Sequence, residues 1–349
     1  MSAAVADPAA VAEVARGRVR RAARRRATSA GLALLVVAAY AVSLMVGQTF
    51  YAPGEVWHVV VGDVVPGASF TVGELRLPRA SLAVLAGASF GLAGLTFQTL
   101  LRNPLASPDV IGISSGASAA AVVGIVVLSL SQAAVSLLAV TAALATSLLI
   151  YVLSFRDGVV GSRLILIGIG IAAMLESVVS YLLMRSAAWE VQTAMRWLTG
   201  SLNGATWATV APVGLAAAVA APVLLWRSRD LDLMQLGEDA ATALGVRTER
   251  TRVVVIVAAV ALIAFATAAA GPIAFVAFLS GPIAARLVGP GGSLMVPAAM
   301  VGALLVLLAD LAGQYAFGTR YPVGVVTGVL GAPYLIHLLI RSNRSGGSL

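Results

Sequence analysis

The sequence predicts an all-α, polytopic membrane protein, and three observations lead to this fold class. Of the 349 residues, 60% are hydrophobic and only 11% are charged, whereas a soluble domain carries about 25% charged residues. Uncharged runs long enough to cross a bilayer, at ~1.5 Å rise per residue, recur along the chain. The 23 basic residues are all arginine and mostly lie between these runs. We predict about ten transmembrane helices, with both termini in the cytoplasm.

Residues 1–26 form an arginine-rich segment that we expect to be a disordered cytoplasmic tail. Seven arginines lie between Arg16 and Arg26, and an apolar run follows them. A signal peptide or a twin-arginine signal would begin in the same way. However, the run from Ala27 to Gly47 is long enough to span a bilayer and does not end in an A-x-A cleavage site. We therefore predict that it is the first helix of a single membrane domain, residues 27–341.

The second predicted helix, residues 79–101, follows an outer segment, residues 48–75. Three glycines lie three or four residues apart in it, at positions 87, 91 and 94. This spacing puts them on one helix face, where a neighbouring backbone can approach closely. Asn103-Pro104 ends the helix, because proline lacks the N–H donor and restricts the residue before it.

The remaining spans are predicted from further apolar runs. They are helix 3 at 113–130, helix 4 at 133–155, helix 5 at 164–184, helix 6 at 205–226, helix 7 at 253–270, a short Gly/Pro-interrupted segment at 271–289, helix 9 at 296–313 and helix 10 at 323–340, before a polar tail at 342–349. In this arrangement 18 of the 23 arginines face the cytoplasm and five face outside, as the positive-inside rule requires. The inverted orientation reverses this bias.

The residue types that are missing exclude several functions. Cysteine is absent, which excludes disulfides, thiolate metal sites and a cysteine nucleophile. The two histidines, His58 and His337, are too far apart in sequence to indicate a metal motif. Without lysine the chain has no standard Walker A loop, so an ATP-driven process needs another subunit. We expect no enzymatic activity, no cofactor or metal, and no nucleic-acid partner, since cytoplasmic arginines explain the pI of 10.7.

Several motifs together resemble the permease subunits of iron-chelate and vitamin B12 ABC importers, the FecCD type. They are Arg76-Leu77-Pro78-Arg79, RNPLA at 102–106 followed by Pro108, GISSGA at 112–117, RWLTGSL at 196–202, and PVGVVT at 322–327 followed by GAP at 331–333. The resemblance covers about residues 30–341. It implies a type II importer permease in the bacterial inner membrane. It also implies a second permease subunit, identical or paralogous, with ATP-binding subunits and a substrate-binding protein as partners.

The cargo that the resemblance implies is a ferric siderophore. The Gln-Tyr-Ala-Phe run that begins at Gln314 is more similar to siderophore permeases than to the vitamin B12 type, in which an arginine stands near this position. Vitamin B12, another corrinoid or haem is the alternative cargo within the same family.

The segment 227–252 is the most charged internal stretch, and apolar residues recur through it at roughly helical spacing. Such a piece buries its apolar face on a partner. Its LG-x-x-x-A-x-x-LG pattern resembles the family's coupling loop, which docks into the ATPase subunit. An ordinary solvated loop helix is the alternative. The implied coupling residues are Leu236, Gly237, Glu238, Ala240, Leu244 and Gly245.

Arg76 and Arg79 precede or begin helix 2 on the predicted outer side, where the positive-inside rule disfavours arginine. They either snorkel at the interface or pair with Glu74 or Asp63. The resemblance implies another role, in which both receive acidic residues of the substrate-binding protein. Arg320 is expected to add a third docking contact.

Several residues are candidates for the gate or the translocation pathway. The resemblance places a cytoplasmic gate near Val160, Gly161 and Ser162, and the interrupted segment 271–289 lines a route or is a simple proline kink. Asn103 and Pro104 are further candidates. Glu176 lies within predicted helix 5, where a carboxylate is costly. It faces a pore, or joins a structural network with Ser177, Ser180, Tyr181 or Arg185. Asp310 is expected to be a structural acid whose partner is not evident from the sequence.

Three other classes of protein have less support from the sequence. An ion-coupled secondary transporter would use Glu176 as its carrier, but it has no reason to keep the docking helix predicted in 227–252. A channel lacks support, because no aromatic or charged filter is evident in the sequence. An enzyme has the least support, because no nucleophile–base set or metal cluster is evident.

Overall fold

The computed structural model describes residues 8–108, 112–154, 161–289 and 291–344, and these residues form helices and connecting loops without any β-strand. The α-helices are α1 (Pro8–Met45), α2 (Pro53–Val60), α3 (Leu77–Leu100), α4 (Ile113–Val122), α5 (Gln132–Ser154), α6 (Gly161–Arg185), α7 (Ala188–Leu198), α8 (Trp207–Met234), α9 (Glu238–Ala243), α10 (Thr248–Ala270), α11 (Val276–Val288), α12 (Met295–Tyr315) and α13 (Val323–Arg344). Two π-helical segments, Ser69–Arg76 and Val123–Val127, lead into α3 and continue α4. The predicted all-α class is confirmed.

Seven helices among the described residues are long and apolar enough to cross a membrane. They include α1, α3, α5, α6, α8, α10 and α12. Shorter apolar helices cover Ile113–Val127, Val276–Val288 and Val323–His337, which coincide with predicted helix 3, the interrupted segment and helix 10. The number of crossings and the side on which the termini lie stay predictions.

The first helix differs most from the sequence-based expectation. It begins at Pro8, so a helix replaces the disordered tail that we expect for residues 8–26. The segment contains strong helix formers, arginine and alanine, and only one glycine after Pro8, Gly17. Nothing in this stretch therefore stops the helix before it enters the apolar run.

Short helices outside the predicted spans also went unrecognised. Both α2 and α7 begin with a glutamate at the third position, Glu55 and Glu190. Their carboxylates accept hydrogen bonds from the backbone N–H groups of Ala52 and Ala187, at 2.7 and 3.1 Å. This is half of a capping box, a helix-start signal that can be read from sequence.

Helix α3 is the centre of the fold and the most buried of the candidate spans that the structure describes. Its glycine face meets neighbouring backbone directly. A Cβ atom on Gly87 would lie 2.4 Å from the carbonyl oxygen of Gly302 in α12, and one on Gly302 would lie 2.1 Å from that of Gly87. A Cβ atom on Gly94 would lie 1.8 Å from the oxygen of Ala277 in α11. The close approach predicted from the glycine spacing is confirmed.

Glycines also allow close contact near the predicted outer ends of the helices. Gly271 ends α10 with φ 70°, and the backbone N–H of Ser201 donates to the carbonyl of Ala270 at 2.7 Å. A Cβ atom on Gly200 would lie 2.4 Å from the oxygen of Pro272. A Cβ atom on Gly324 in α13 would lie 2.0 Å from that of Thr199. The WL-x-GSL segment is thus held between α10 and α13.

We predict that Gly94→Ala destabilises the protein by about 1–3 kcal/mol, because the new methyl group overlaps the backbone of α11. Thermal unfolding of the purified protein in detergent measures the effect. Gly328→Ala is the matched control, since its Cβ atom meets nothing within 4 Å and the change only adds helix propensity. Equal unfolding temperatures for the two variants would contradict the packing argument.

Candidate functional site

Arg79, in the first turn of α3, is held by three hydrogen bonds inside the protein. Its Nε and Nη2 atoms donate to the two carboxylate oxygens of Asp310, at 2.9 and 2.7 Å. Its Nη1 atom donates to Oδ1 of Asn203 at 2.6 Å. Asp310 is only 6% exposed and also accepts a 2.7 Å hydrogen bond from Nε2 of Gln314. This bidentate pair, a strong type of hydrogen bond, joins α3, α12 and the loop before α8.

The ion pair identifies the partner of Asp310 that the sequence analysis left open. The sequence alone offers Glu74 and Asp63 as partners of Arg79. Asp63 is instead 2.8 Å from Nδ1 of His58, in a pair with both side chains 61% exposed. The guanidinium of Arg79 mostly faces protein, with 21% of the side chain exposed. A structural role therefore accounts for Arg79 without an external partner.

Arg76 forms hydrogen bonds with carbonyl groups at and just after the C-terminal end of α1. Its guanidinium donates to the carbonyl oxygens of Leu44, Met45 and Thr49, at 2.8, 2.9 and 2.7 Å. It also lies 5.1 Å from the ring centroid of Tyr51. The last carbonyl groups of a helix have no partner within the helix, so Arg76 satisfies groups that would otherwise need water.

The three arginines predicted to dock a binding protein thus lie in different surroundings. Arg76 and Arg79 have internal partners, whereas Arg320, in the loop between α12 and α13, is exposed. The structure does not test a docking role for any of them. Of the three, only Arg320 is exposed, while Arg76 and Arg79 are partly buried.

At the other end of the molecule, α9 is a short helix between two glycines. Gly237 and Gly245 have φ values of 116° and 88°, a region that residues with a Cβ atom rarely adopt. They separate α9 from α8 and α10, as the sequence predicts. The helix is also tied to α10, because Glu238 forms an ion pair with Arg252.

The apolar residues of the 227–252 segment divide into two groups. One group is buried within the chain and consists of Leu231, Met234, Ala241 and Val246. The other is exposed: Leu236 and Leu244 are 66% and 59% exposed, and Ala240 lies between them on an exposed position of α9. The predicted apolar face is therefore only partly used for packing. Leu236 and Leu244 flank α9 on its two sides, and these two exposed leucines with Ala240 are here called the α9 leucine surface.

A cleft of about 740 Å³ opens beside this segment. It lies between the end of α3, the end of α8 and helix α11, and its polar or proline lining includes Gln98, Arg102, Asn103, Pro104, Asp232, Gln235 and Pro282. The structure thus brings the Asn103-Pro104 turn next to the Pro282 segment. Oδ1 of Asn103 accepts a 2.9 Å hydrogen bond from the backbone N–H of Leu105, which fixes the turn.

Gln98 is a cleft residue that the sequence analysis missed. Its Nε2 atom donates to the carbonyl of Phe278 at 2.9 Å, and the residue is 5% exposed. Gly281 lies against its Oε1 atom, where a Cβ atom would come within 2.0 Å. The sequence did contain a signal for Gln98, because it is the only amide side chain in the uncharged run of α3 and a polar group there needs a partner.

The remaining pathway candidates lie on or beside α6. Val160 is outside the described residues, and Gly161 and Ser162 form the first turn of α6. Glu176 is exposed in the isolated chain. The hydroxyl of Ser177 donates to the carbonyl of Ala173 at 2.8 Å, and Nη1 of Arg185 donates to the hydroxyl of Tyr181 at 2.8 Å. Ser177, Tyr181 and Arg185 therefore form these hydrogen bonds with groups other than the carboxylate of Glu176.

Comparison with known proteins places this chain among transport permeases. Residues 34–341 match the FecCD transport family. The ferric enterobactin transport system permease protein FepG of Escherichia coli (strain K12) is 42% identical over 319 residues, which cover 89% of this chain and 96% of that protein. The achromobactin transport system permease protein CbrC of Dickeya dadantii (strain 3937) is 38% identical, over 88% of this chain and 89% of that protein.

The fold is also similar to a solved structure. A chain from an inward-facing conformation of a metal-chelate type ABC transporter superposes with a TM-score of 0.81 at 28% sequence identity. The match covers 90% of this chain and 98% of the solved chain. The similarity therefore includes most of the helical arrangement rather than one part of it.

We predict that Asp310→Ala destabilises the protein by about 3 kcal/mol, because it leaves the Arg79 guanidinium unpaired in a largely buried position. Thermal unfolding in detergent measures the loss. Asp63→Ala is the matched control, since an exposed pair contributes at most about 1 kcal/mol. The double change of Arg79→Met with Asp310→Leu should recover part of the loss. A loss no larger than that of the control would show that the pair contributes little.

Proposed function

We infer that this chain, which belongs to the FecCD transport family, is the membrane-spanning subunit of an ABC importer that carries a ferric siderophore. The observation that supports the cargo is the 42% identity, over nearly the full length of both proteins, to a ferric enterobactin permease. Vitamin B12, another corrinoid or haem is the alternative cargo. The ion-coupled secondary transporter weighed from the sequence loses support, because the fold is that of an ABC transporter chain.

The partners of this importer follow from the same proposal. The chain contains no lysine for a standard Walker A loop, so separate ATP-binding subunits drive transport. The α9 leucine surface supports a docking role, because exposed leucines outside the predicted spans are stabilised by a partner that covers them. A second permease subunit, identical or paralogous, completes the pathway.

We propose that the protein lies in the bacterial inner membrane, with about ten crossings and both termini inside. The arginine distribution supports this orientation. A substrate-binding protein then docks on the outer face. Arg320 is the arginine best placed for an ion pair with it, whereas Arg76 and Arg79 support that surface through their internal bonds.

The second permease subunit also accounts for Glu176. An ionised side chain that faces lipid at the centre of a helix costs about 2.5–3.5 kcal/mol on insertion scales. The exposed face of α6 that carries Glu176 is therefore better placed against the pathway or the second subunit than against lipid. Val160, Gly161 and Ser162, at the cytoplasmic start of the same helix, remain the proposed gate.

Reconstituted transport tests the function. The chain would be co-expressed with a candidate ATPase subunit and a candidate second permease subunit, purified, and placed in proteoliposomes with the binding protein outside. We expect uptake of ⁵⁵Fe-siderophore that requires ATP inside the vesicle and persists when an ionophore abolishes the proton gradient. Uptake that follows the proton gradient without ATP would contradict the ABC assignment. Uptake of cobalamin but no ferric chelate would support the alternative cargo.

We predict that Leu236→Asp and Leu244→Asp each reduce co-purification of the ATPase subunit by at least about ten-fold, because each change puts a charge into the apolar contact proposed with that subunit. Densitometry of the purified complex gives the ratio of ATPase to permease. Thr242→Asp is the matched control, since Thr242 is exposed on α9 about 200° around the helix from Ala240. Unchanged ratios in both leucine variants would refute docking at this surface.

A further inference from the structure

Helix α1 extends well beyond the part of the chain that the family shares. The family match begins at residue 34, whereas the helix begins at Pro8. Its 38 residues make a rod of about 57 Å, and the hydrocarbon core of a bilayer is about 30 Å thick. A helix of this length cannot lie within the hydrocarbon unless it is strongly tilted. Its N-terminal half therefore reaches the headgroup layer and the water beyond.

This N-terminal half carries the densest charge of the chain, here called the α1 arginine collar. It consists of Arg16, Arg18, Arg20, Arg21, Arg24, Arg25 and Arg26. All except Arg25 are exposed. Glu13 is the one acidic residue of α1, so a single carboxylate on the helix faces seven arginines. Asp232 of α8 interacts with Arg25, which leaves the other arginines of the collar to the solvent. A solvated collar of this density attracts anions of the same membrane surface.

The arginines surround the helix rather than forming one face. At about 100° per residue, their positions leave no angular gap larger than about 80°. A protein partner covers one side of a helix and has no use for charges on the opposite side. Lipid headgroups, in contrast, can approach from every direction the part of the helix that projects beyond the bundle. The angular distribution therefore favours lipid over a protein as the occupant.

Arg25 fixes the position of the collar along the axis of α1, because it binds the helix bundle. Its Nη2 atom donates to the carbonyl oxygen of Ser293 at 2.5 Å, just before α12 begins. The next arginines, Arg24 and Arg26, lie within one turn of this anchor. Arg20 and Arg21 lie about 6–8 Å farther along the axis, within the Debye length of about 8 Å at physiological salt. If the start of α12 lies at the membrane surface, as the predicted topology requires, most of the collar lies where the field of a charged bilayer surface acts.

We propose that the α1 arginine collar binds the phosphate groups of anionic phospholipids in the leaflet on its own side of the membrane. The guanidinium group suits this ligand, because its planar donors bind phosphate oxygens in pairs. The collar concentrates these lipids around the N-terminal end of α1. This inference depends on α1 crossing the membrane and not on the cargo or on ATP.

The absence of cysteine allows a direct test in the full-length chain. Val19→Cys, at a position 69% exposed inside the collar, takes a fluorescent donor. The protein is reconstituted in phosphatidylcholine vesicles that contain a trace acceptor lipid, either phosphatidylglycerol or phosphatidylcholine, with the acceptor dye on an acyl chain. We expect at least about two-fold more energy transfer to the phosphatidylglycerol acceptor, and we expect high salt to remove the difference.

Three variants in the Val19→Cys background decide whether the collar is responsible. Arg16, Arg18, Arg20 and Arg21 changed together to Gln should abolish most of the preference, while the same four changed to Lys should keep at least half of it. Arg247→Gln with Arg250→Gln, two exposed arginines near α9, should leave the preference intact. Circular dichroism and gel filtration check that each variant remains folded.

Several outcomes would overturn the proposal. Equal transfer to both acceptors in the starting protein would show that the collar has no lipid preference. A preference that survives the four Gln changes would assign the lipid contact to another part of the chain. If those changes instead reduce co-purification of the ATPase and leave the lipid preference unaltered, the collar serves a protein partner. Loss in the Lys variant equal to that in the Gln variant would contradict an electrostatic attraction.

Discussion

The backbone contact between α3 and its neighbours is the constraint on which the rest of the structure depends. Without side chains at Gly87, Gly302 and Gly94, helices α12 and α11 approach α3 closely enough for carbonyl groups to occupy the space of a methyl group. In a bilayer the hydrophobic effect does not drive helices together, so such packing supplies much of the attraction. The two ends of α3 then position both functional regions, the Arg79–Asp310 pair at one end and the Asn103-Pro104 turn of the cleft at the other.

The sequence predicted well those features that arise from local chain geometry. The α3 glycine face and the isolation of α9 between Gly237 and Gly245 both follow from residue spacing and backbone conformation. It could not identify the partner of Asp310, because Arg79 lies 231 residues away and a single sequence carries no signal of pairing across that distance. The length of α1 was missed for another reason: dense charge indicates exposure to water, which is compatible with a solvated helix as much as with disorder.

Exposure separates residues that keep the protein in shape from residues that remain available to other molecules. Arg76 and Arg79 looked equivalent to Arg320 in the sequence, as cations on the side where cations are rare. Their bonds to carbonyl groups and to Asp310 are made within the chain, so their removal would disturb the surface whatever binds there. A mutational scan of such arginines for loss of transport would therefore report on folding as well as on docking. The α9 leucine surface presents the opposite case, because Leu236 and Leu244 contribute little to the packing of the isolated chain.

The continuity of α1 has a mechanical consequence. The helix has no proline between Pro8 and its end at Met45, so its N-terminal part is a stiff arm that projects beyond the bond from Arg25 to Ser293. The arm from Arg25 to Pro8 is about 25 Å long, and a rotation of about 10° displaces its tip by about 4 Å. A rearrangement that tilted α1 where it meets the start of α12 would therefore produce its largest displacement at Pro8. A donor–acceptor distance measured from the tip would follow the transport cycle from outside the bundle.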